Sequence, residues 1–178
     1  MVTYLAFLRA INLGAKRVFP KGDIQRVVAD AGFDGVQTHI NTGNVRFDTR
    51  LRSREKIEST LERAFAADRG FDVPTIVYTA AEFAALAAEA QELHAQHPGI
   101  VRHYVYLLKD ELDDATREAV ESTSTDAGTM IIRGRAAHAL LGPGYQNGTV
   151  DPLGAAKLLG VGTARNVTVV TALAAKWC

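Results

Sequence analysis

The chain has a single cysteine, Cys178, among 178 residues. That excludes an internal disulfide framework and leads us to expect the reducing cytoplasm. No stretch approaches the roughly 20 apolar residues that a membrane span needs. The opening Met1-Val2-Thr3-Tyr4-Leu5-Ala6-Phe7-Leu8-Arg9 has no positive n-region, and its apolar run ends too early for a secretory signal, so none is expected. Net charge is absent too, because 20 basic and 20 acidic side chains cancel. Nucleic-acid binders usually carry a basic footprint, so that class is disfavoured, although a local patch needs no global charge.

Signatures of familiar chemistry are also missing. There is no Gly-x-Ser-x-Gly elbow, no Walker-type Gly-Lys-Ser/Thr and no spaced carboxylate pair. Gly160-x-Gly162 lacks a preceding strand and the third glycine of a dinucleotide fingerprint. His94, His97 and His103 have no acidic or cysteine partner at ligand spacing and read as surface histidines, so neither a metal nor a cofactor is expected. Cys178 has no evident base, and Asp110-Glu111-Leu112-Asp113-Asp114 reads as the acidic first turn of a helix. The Asn-x-Thr triplets at Asn147 and Asn166 are coincidences of composition in a cytoplasmic chain. Tyr4, Phe7, Tyr104 and Tyr106 could form a stacking platform for RNA, but the accompanying aromatic-basic pattern is lacking and core packing is the reading.

What is present is an ordinary globular composition, 47% hydrophobic and 22% charged, with clear periodicities. Residues 2–11 are apolar on both faces and suit a central strand that carries Arg9 within it. Pro20 leads a helix through Ile24, Val27, Val28 and Ala31, which Gly32 stops. Val36, Thr38 and Ile40 alternate with Gln37 and His39, and Val45 and Phe47 alternate across a Thr-Gly turn. A second helix carries Ile57, Leu61, Ala64 and Phe65, and a fourth strand covers 71–78. The expectation is α+β, with residues 1–78 forming a ferredoxin-like β-α-β-β-α-β half. Residues 79–178 would hold a linker helix, opened by the capping box Thr79-Ala80-Ala81-Glu82, and then a second, related half. That half reads as a strand at 100–108, a helix near 112–122, strands near 128–133 and 136–142, a short helix at 154–159 and a last helix at 164–176.

In a split β-α-β unit the first two strands are parallel, so the loops leaving their C-terminal ends share one edge of the sheet. This should bring the basic loop Asn12-Leu13-Gly14-Ala15-Lys16-Arg17 beside the turn Asn41-Thr42-Gly43-Asn44, with the first helix N-terminus facing the same space. Arg9, Lys16 and Arg165 would supply charge, Asn12, Asn44 and Asn166 amides, Thr42 a hydroxyl, and Gly14 and Gly43 close backbone approach. Thr163 is expected as an N-cap, which puts Arg165 in the first turn of the last helix. The partner these groups suit is a small anion, a phosphate or carboxylate, at the sheet edge between the halves. His39 is the expected proton carrier if chemistry occurs. The alternatives are a nucleic-acid module using the open sheet face and an interaction protein whose polar motifs are structural, since Asn-Thr-Gly-Asn is also a good ordinary hairpin turn.

These same residues carry a family resemblance. Arg9-Ala10-Ile11-Asn12-Leu13-Gly14-Ala15-Lys16 is similar to the Arg-Gly-Ile-Asn-Val-Gly-Gly-Lys of the bacterial domain of unknown function 1697. Ile40-Asn41-Thr42-Gly43-Asn44-Val45-Arg46-Phe47 resembles that family's Ile-Gln-Ser-Gly-Asn-Val-x-Phe, and Thr163-Ala164-Arg165-Asn166-Val167 its Thr-x-Arg-Asn-Trp. Ala10 and Ala15 stand where the family has Gly, Asn41 for Gln, Thr42 for Ser and Val167 for Trp. The likeness runs over essentially the whole chain and implies a two-part α+β fold with ferredoxin-like character. It implies no particular activity.

Overall fold

The computed structural model describes residues 1–146 and 148–178, so the Asn147 triplet lies outside the described residues. The chain forms two compact units, one of Met1–Phe83 with Trp177–Cys178, the other of Ala84–Lys176. Their secondary structure is α+β, with one four-stranded antiparallel sheet in each unit.

In the first unit the order is β1 (Val2–Leu8), α1 (Lys21–Asp30), β2 (Asp34–His39), β3 (Asn44–Thr49), α2 (Arg54–Arg69) and β4 (Thr75–Thr79). The sheet order is β2-β3-β1-β4, so β3 lies between β1 and β2 and pairs antiparallel with both, the split β-α-β arrangement. Alternation sends Tyr4, Ala6, Leu8, Val45 and Phe47 into a core shared with Ile24, Val28, Ile57, Leu61 and Phe65 of the two helices. Ser53 caps α2 by accepting from the Lys56 N–H, and Gly70 closes it in the left-handed conformation at φ 76°.

The outer edge of β4 is blunted from α2. Glu62 Oε1 accepts the Thr75 N–H at 2.9 Å and buried Glu58 Oε1 accepts the Val77 N–H at 3.1 Å. Two amides that could template another strand are thereby satisfied.

A third helix, α3 (Ala80–Gln96), begins with the expected capping box: the Thr79 N–H and hydroxyl donate to Glu82 Oε2, and the Glu82 N–H donates to Thr79 Oγ1. The second unit continues with β5 (Arg102–Leu108), α4 (Asp114–Glu121), β6 (Gly128–Arg133), β7 (Ala136–Leu141), a single 3₁₀ turn at Ala156–Leu158, β8 (Gly162–Asn166) and α5 (Val167–Trp177). Its sheet order, β6-β7-β5-β8, reproduces that of the first with every strand number raised by four. The 3₁₀ turn stands in the chain where α2 stands in the first unit. Edge strand β6 is also satisfied from its helix, with Glu121 Oε1 accepting the Ile132 N–H at 3.1 Å.

Two expectations are corrected here. β1 stops at Leu8, so Arg9 is not a charge inside a central strand. Its backbone N–H bonds Pro74 O, the chain turns at Ala10 with φ 57°, and the Arg9 side chain is exposed. The last helix starts at Val167, and Gly162–Asn166 is the edge strand β8, paired to β5 with Val105 opposite Arg165. Thr163 is therefore no N-cap and Arg165 no first-turn residue. Asn166 does the capping, its Oδ1 accepting from the Thr168 N–H at 3.0 Å and the Thr168 hydroxyl at 2.6 Å.

Candidate functional site

The two polar segments of the first unit meet. The Asn12 amide donates to Asn41 O and to Phe19 O, both at 2.9 Å, while its Oδ1 accepts the Phe19 N–H at 2.7 Å. Asn41 Oδ1 in turn accepts the Lys21 N–H at 3.2 Å, capping the first turn of α1 from the neighbouring loop. Across the hairpin, buried Asn44 donates to His39 O at 3.1 Å and to Thr42 Oγ1 at 2.8 Å. Gly43 is required twice: its φ is 76°, and a Cβ there would lie 2.7 Å from Leu8 Cβ. Its carbonyl accepts the Leu8 N–H at 2.9 Å.

Arg17 pins the far side of the loop. Its Nε donates to Ala10 O at 2.7 Å, its Nη2 to Asp72 O, and its guanidinium lies 4.7 Å from the centre of the Phe71 ring. These bonds hold the backbone in an unusual state. Among the described residues five that are not glycine have positive φ, and four of them are here: Ala10 at 57°, Asn12 at 55°, Arg17 at 59° and Ile40 at 50°. For Ala10 and Ile40 such a conformation costs on the order of 1 kcal/mol or more each. The loop tip is Leu13, Gly14, Ala15 and Lys16, all exposed, and a Cβ on Gly14 would meet no atom within 4 Å.

Of the expected site residues, Arg9, Asn12, Gly14, Lys16, Thr42 and Gly43 therefore lie on the loops at one end of the first sheet, and Asn44 begins β3 at the same end. Asn12 and Asn44 already bond the backbone around them. Arg165 and Asn166 belong to the second unit. Arg165 is buried there, its Nη1 donating to Thr163 Oγ1 at 2.8 Å and Ala164 O at 2.9 Å, and burial lowers its guanidinium to about 10. His39 ends β2 half-buried, its ring edge-on to Trp177 at 6.1 Å.

The histidine expectation needs correcting. His103 is not on the surface: with His138 it forms a buried pair on one face of the second sheet, Nε2 to Nδ1 2.9 Å, with His94 stacked 5.7 Å from His103. Burial first, then the nearby His138, His94 and His97, lowers His103 to about 3. Burial and Arg133 lower His138 to about 4. The strict alternation of β5 held the signal, since His103, Val105 and Leu107 share a face. Among the described residues no group of three or more histidine, cysteine or acidic side chains could hold a metal ion, and no helix is long and apolar enough to cross a membrane.

Such a pair of similar α+β halves, with a loop cluster at one sheet end, defines a class, and comparison with known proteins places the chain within it. The family model described as a protein of unknown function, DUF1697, matches residues 1–138, and the chain belongs to that family. No curated protein matches the sequence. Among solved structures, the conserved bacterial protein SP0830 from Streptococcus pneumoniae is similar in fold, with a TM-score of 0.76 at 19% identity, covering 98% of this chain and 97% of that one.

Proposed function

We propose that the loop end of the first sheet binds a small anion, a phosphate or carboxylate, through Arg9 and Lys16 with the backbone around Gly14. The observation that carries this reading is the concentration of left-handed backbone at Ala10, Asn12, Arg17 and Ile40. Backbone strain persists where surrounding structure over-determines it, and it gathers at sites that must present groups in a fixed way. Here the amides of Asn12 and Asn44 do the fixing, which leaves the exposed cations to meet a ligand. Neither Arg9 nor Lys16 makes an ion pair among the described residues, so each is available for a counter-charge.

A thermal-shift titration with inorganic phosphate and with citrate, matched in ionic strength by sodium chloride, tests this. Wild type should be stabilised by either anion beyond the chloride control, and an Arg9→Ala/Lys16→Ala variant should lose at least half of that shift. Equal shifts in the two proteins would remove the proposal.

The saturated bonding of Asn12 and Asn44 also favours a second reading, in which the polar motifs are structural and the protein is an interaction module. Asn12→Ala and Asn44→Ala would then lower stability, with no anion-dependent difference in any variant.

A further inference from the structure

The second unit has a cavity of about 310 Å³ that the loop end of the first sheet does not involve. Its floor is the face of the sheet that carries Tyr104 and Tyr106 on β5 and Ala164 on β8, with Ala164 directly opposite Tyr106 in the register. A methyl at that position leaves open the space a larger side chain would fill. The segment Gly148–Asp151 and Ala156 complete the lining. The lining is largely apolar, and the volume falls at the low end of small-ligand sites.

Three features give the cavity a chemical preference. Tyr104 and Tyr106 are only half-buried against the core of the second unit, so part of each ring stays accessible. Neither phenolic hydroxyl has a hydrogen-bond partner among the described residues, which leaves two groups able to accept a bond. Asp151 is the one charged side chain in the lining, and no cation of the lining opposes it. Its carboxylate lies close enough to Tyr106 to help burial raise that phenol. Asp151 is held firmly: Oδ1 accepts the Ala156 N–H at 2.9 Å, and φ is 50°, the one left-handed backbone outside the first unit among described non-glycine residues. Aromatic faces attract cations through their ring quadrupole, and a carboxylate at the rim adds to that attraction.

We propose that this cavity binds a small organic cation with a flat apolar body, its positive end toward Asp151 and its body against Tyr104 and Tyr106. Benzamidine has that shape and charge, benzamide the shape without charge, and benzoate the shape with opposite charge. Titrations of the full chain, followed by the ring resonances of Tyr104 and Tyr106 in NMR spectra, read occupancy directly.

Benzamidine should shift both rings saturably, binding at least roughly tenfold more tightly than benzoate and with benzamide between them. Asp151→Asn should weaken benzamidine about fivefold while leaving benzamide unchanged. Asparagine tolerates the left-handed backbone and keeps a carbonyl to accept the Ala156 N–H, so this variant should fold. Ala164→Leu, which fills the floor from an exposed edge-strand position, should abolish both titrations with the circular dichroism spectrum unchanged. The proposal is overturned if neither tyrosine moves with benzamidine, if benzoate binds as tightly, or if Asp151→Asn leaves the benzamidine affinity unchanged.

Discussion

Ala10 occupies a left-handed position, φ 57°, where the family motif carries glycine. Relieving the steric cost outweighs the extra freedom glycine gives the unfolded chain, so Ala10→Gly should stabilise the protein by about 0.5–1 kcal/mol, read as a rise in the urea midpoint at constant m. Gly43 is the opposite case. Gly43→Ala forces both a positive φ and a Cβ into Leu8, and should cost about 2 kcal/mol or more. A neutral result would show that the hairpin can move away from β1. The buried His103–His138 pair predicts a pH dependence. Both imidazoles are lowered from 6.5 in the unfolded chain to about 3 and about 4 in the folded protein. Below pH 6.5 the unfolded state therefore binds more protons, and stability should be fully present at neutral pH and fall on acidification through the window from about 6.5 to about 3. Replacing the pair with His103→Phe/His138→Leu should flatten that slope; an unchanged slope between pH 7 and 5 would mean that the pair titrates normally.

At the scale of elements, the periodic core stripes of the first unit were open to direct reading, and Thr79–Glu82 formed the box its spacing implied, whereas the cap expected at Thr163 belongs to Asn166. The edge-strand carboxylates were not, because Glu58, Glu62 and Glu121 look like ordinary helix surface until a strand's N–H groups are set against them. Glu58→Ala should cost about 1–3 kcal/mol by removing the carboxylate that accepts the buried Val77 N–H, and should raise the tendency to self-associate in light scattering. β8 escaped because Gly162-Thr163-Ala164-Arg165-Asn166 has no apolar alternation and only Arg165 buries. Its strand character comes from five backbone pairs to β5, a nonlocal cause that propensity cannot register. Arg9 was misplaced for a related reason: the apolar run continues to Ile11, but the chain leaves the sheet after Leu8, opposite the first residues of the antiparallel partners β3 and β4.

For the whole molecule, the sole tryptophan illustrates contact across a long sequence separation. Trp177 belongs to the first unit, donating from Nε1 to Gln37 Oε1 at 3.0 Å and packing edge-on to His39. Trp177→Phe should cost about 1 kcal/mol and Trp177→Ala about 3 kcal/mol in denaturation followed by circular dichroism. Wild-type values in both would mean that the ring contributes nothing. The element order of the first unit, the two α+β halves, the approach of the Asn12 loop to the Asn41 turn and family membership were determined by the sequence alone, because hydrophobic period, turn chemistry and crossover topology act locally or through one simple rule. Tertiary structure alone decided that Asn12 and Asn44 bond their own loops, that Arg165 and the His103–His138 pair are buried, and that two tyrosines and Asp151 line one cavity. Those outcomes depend on which strand lies next to which, and side-chain burial and bonding are set by neighbours distant in the chain.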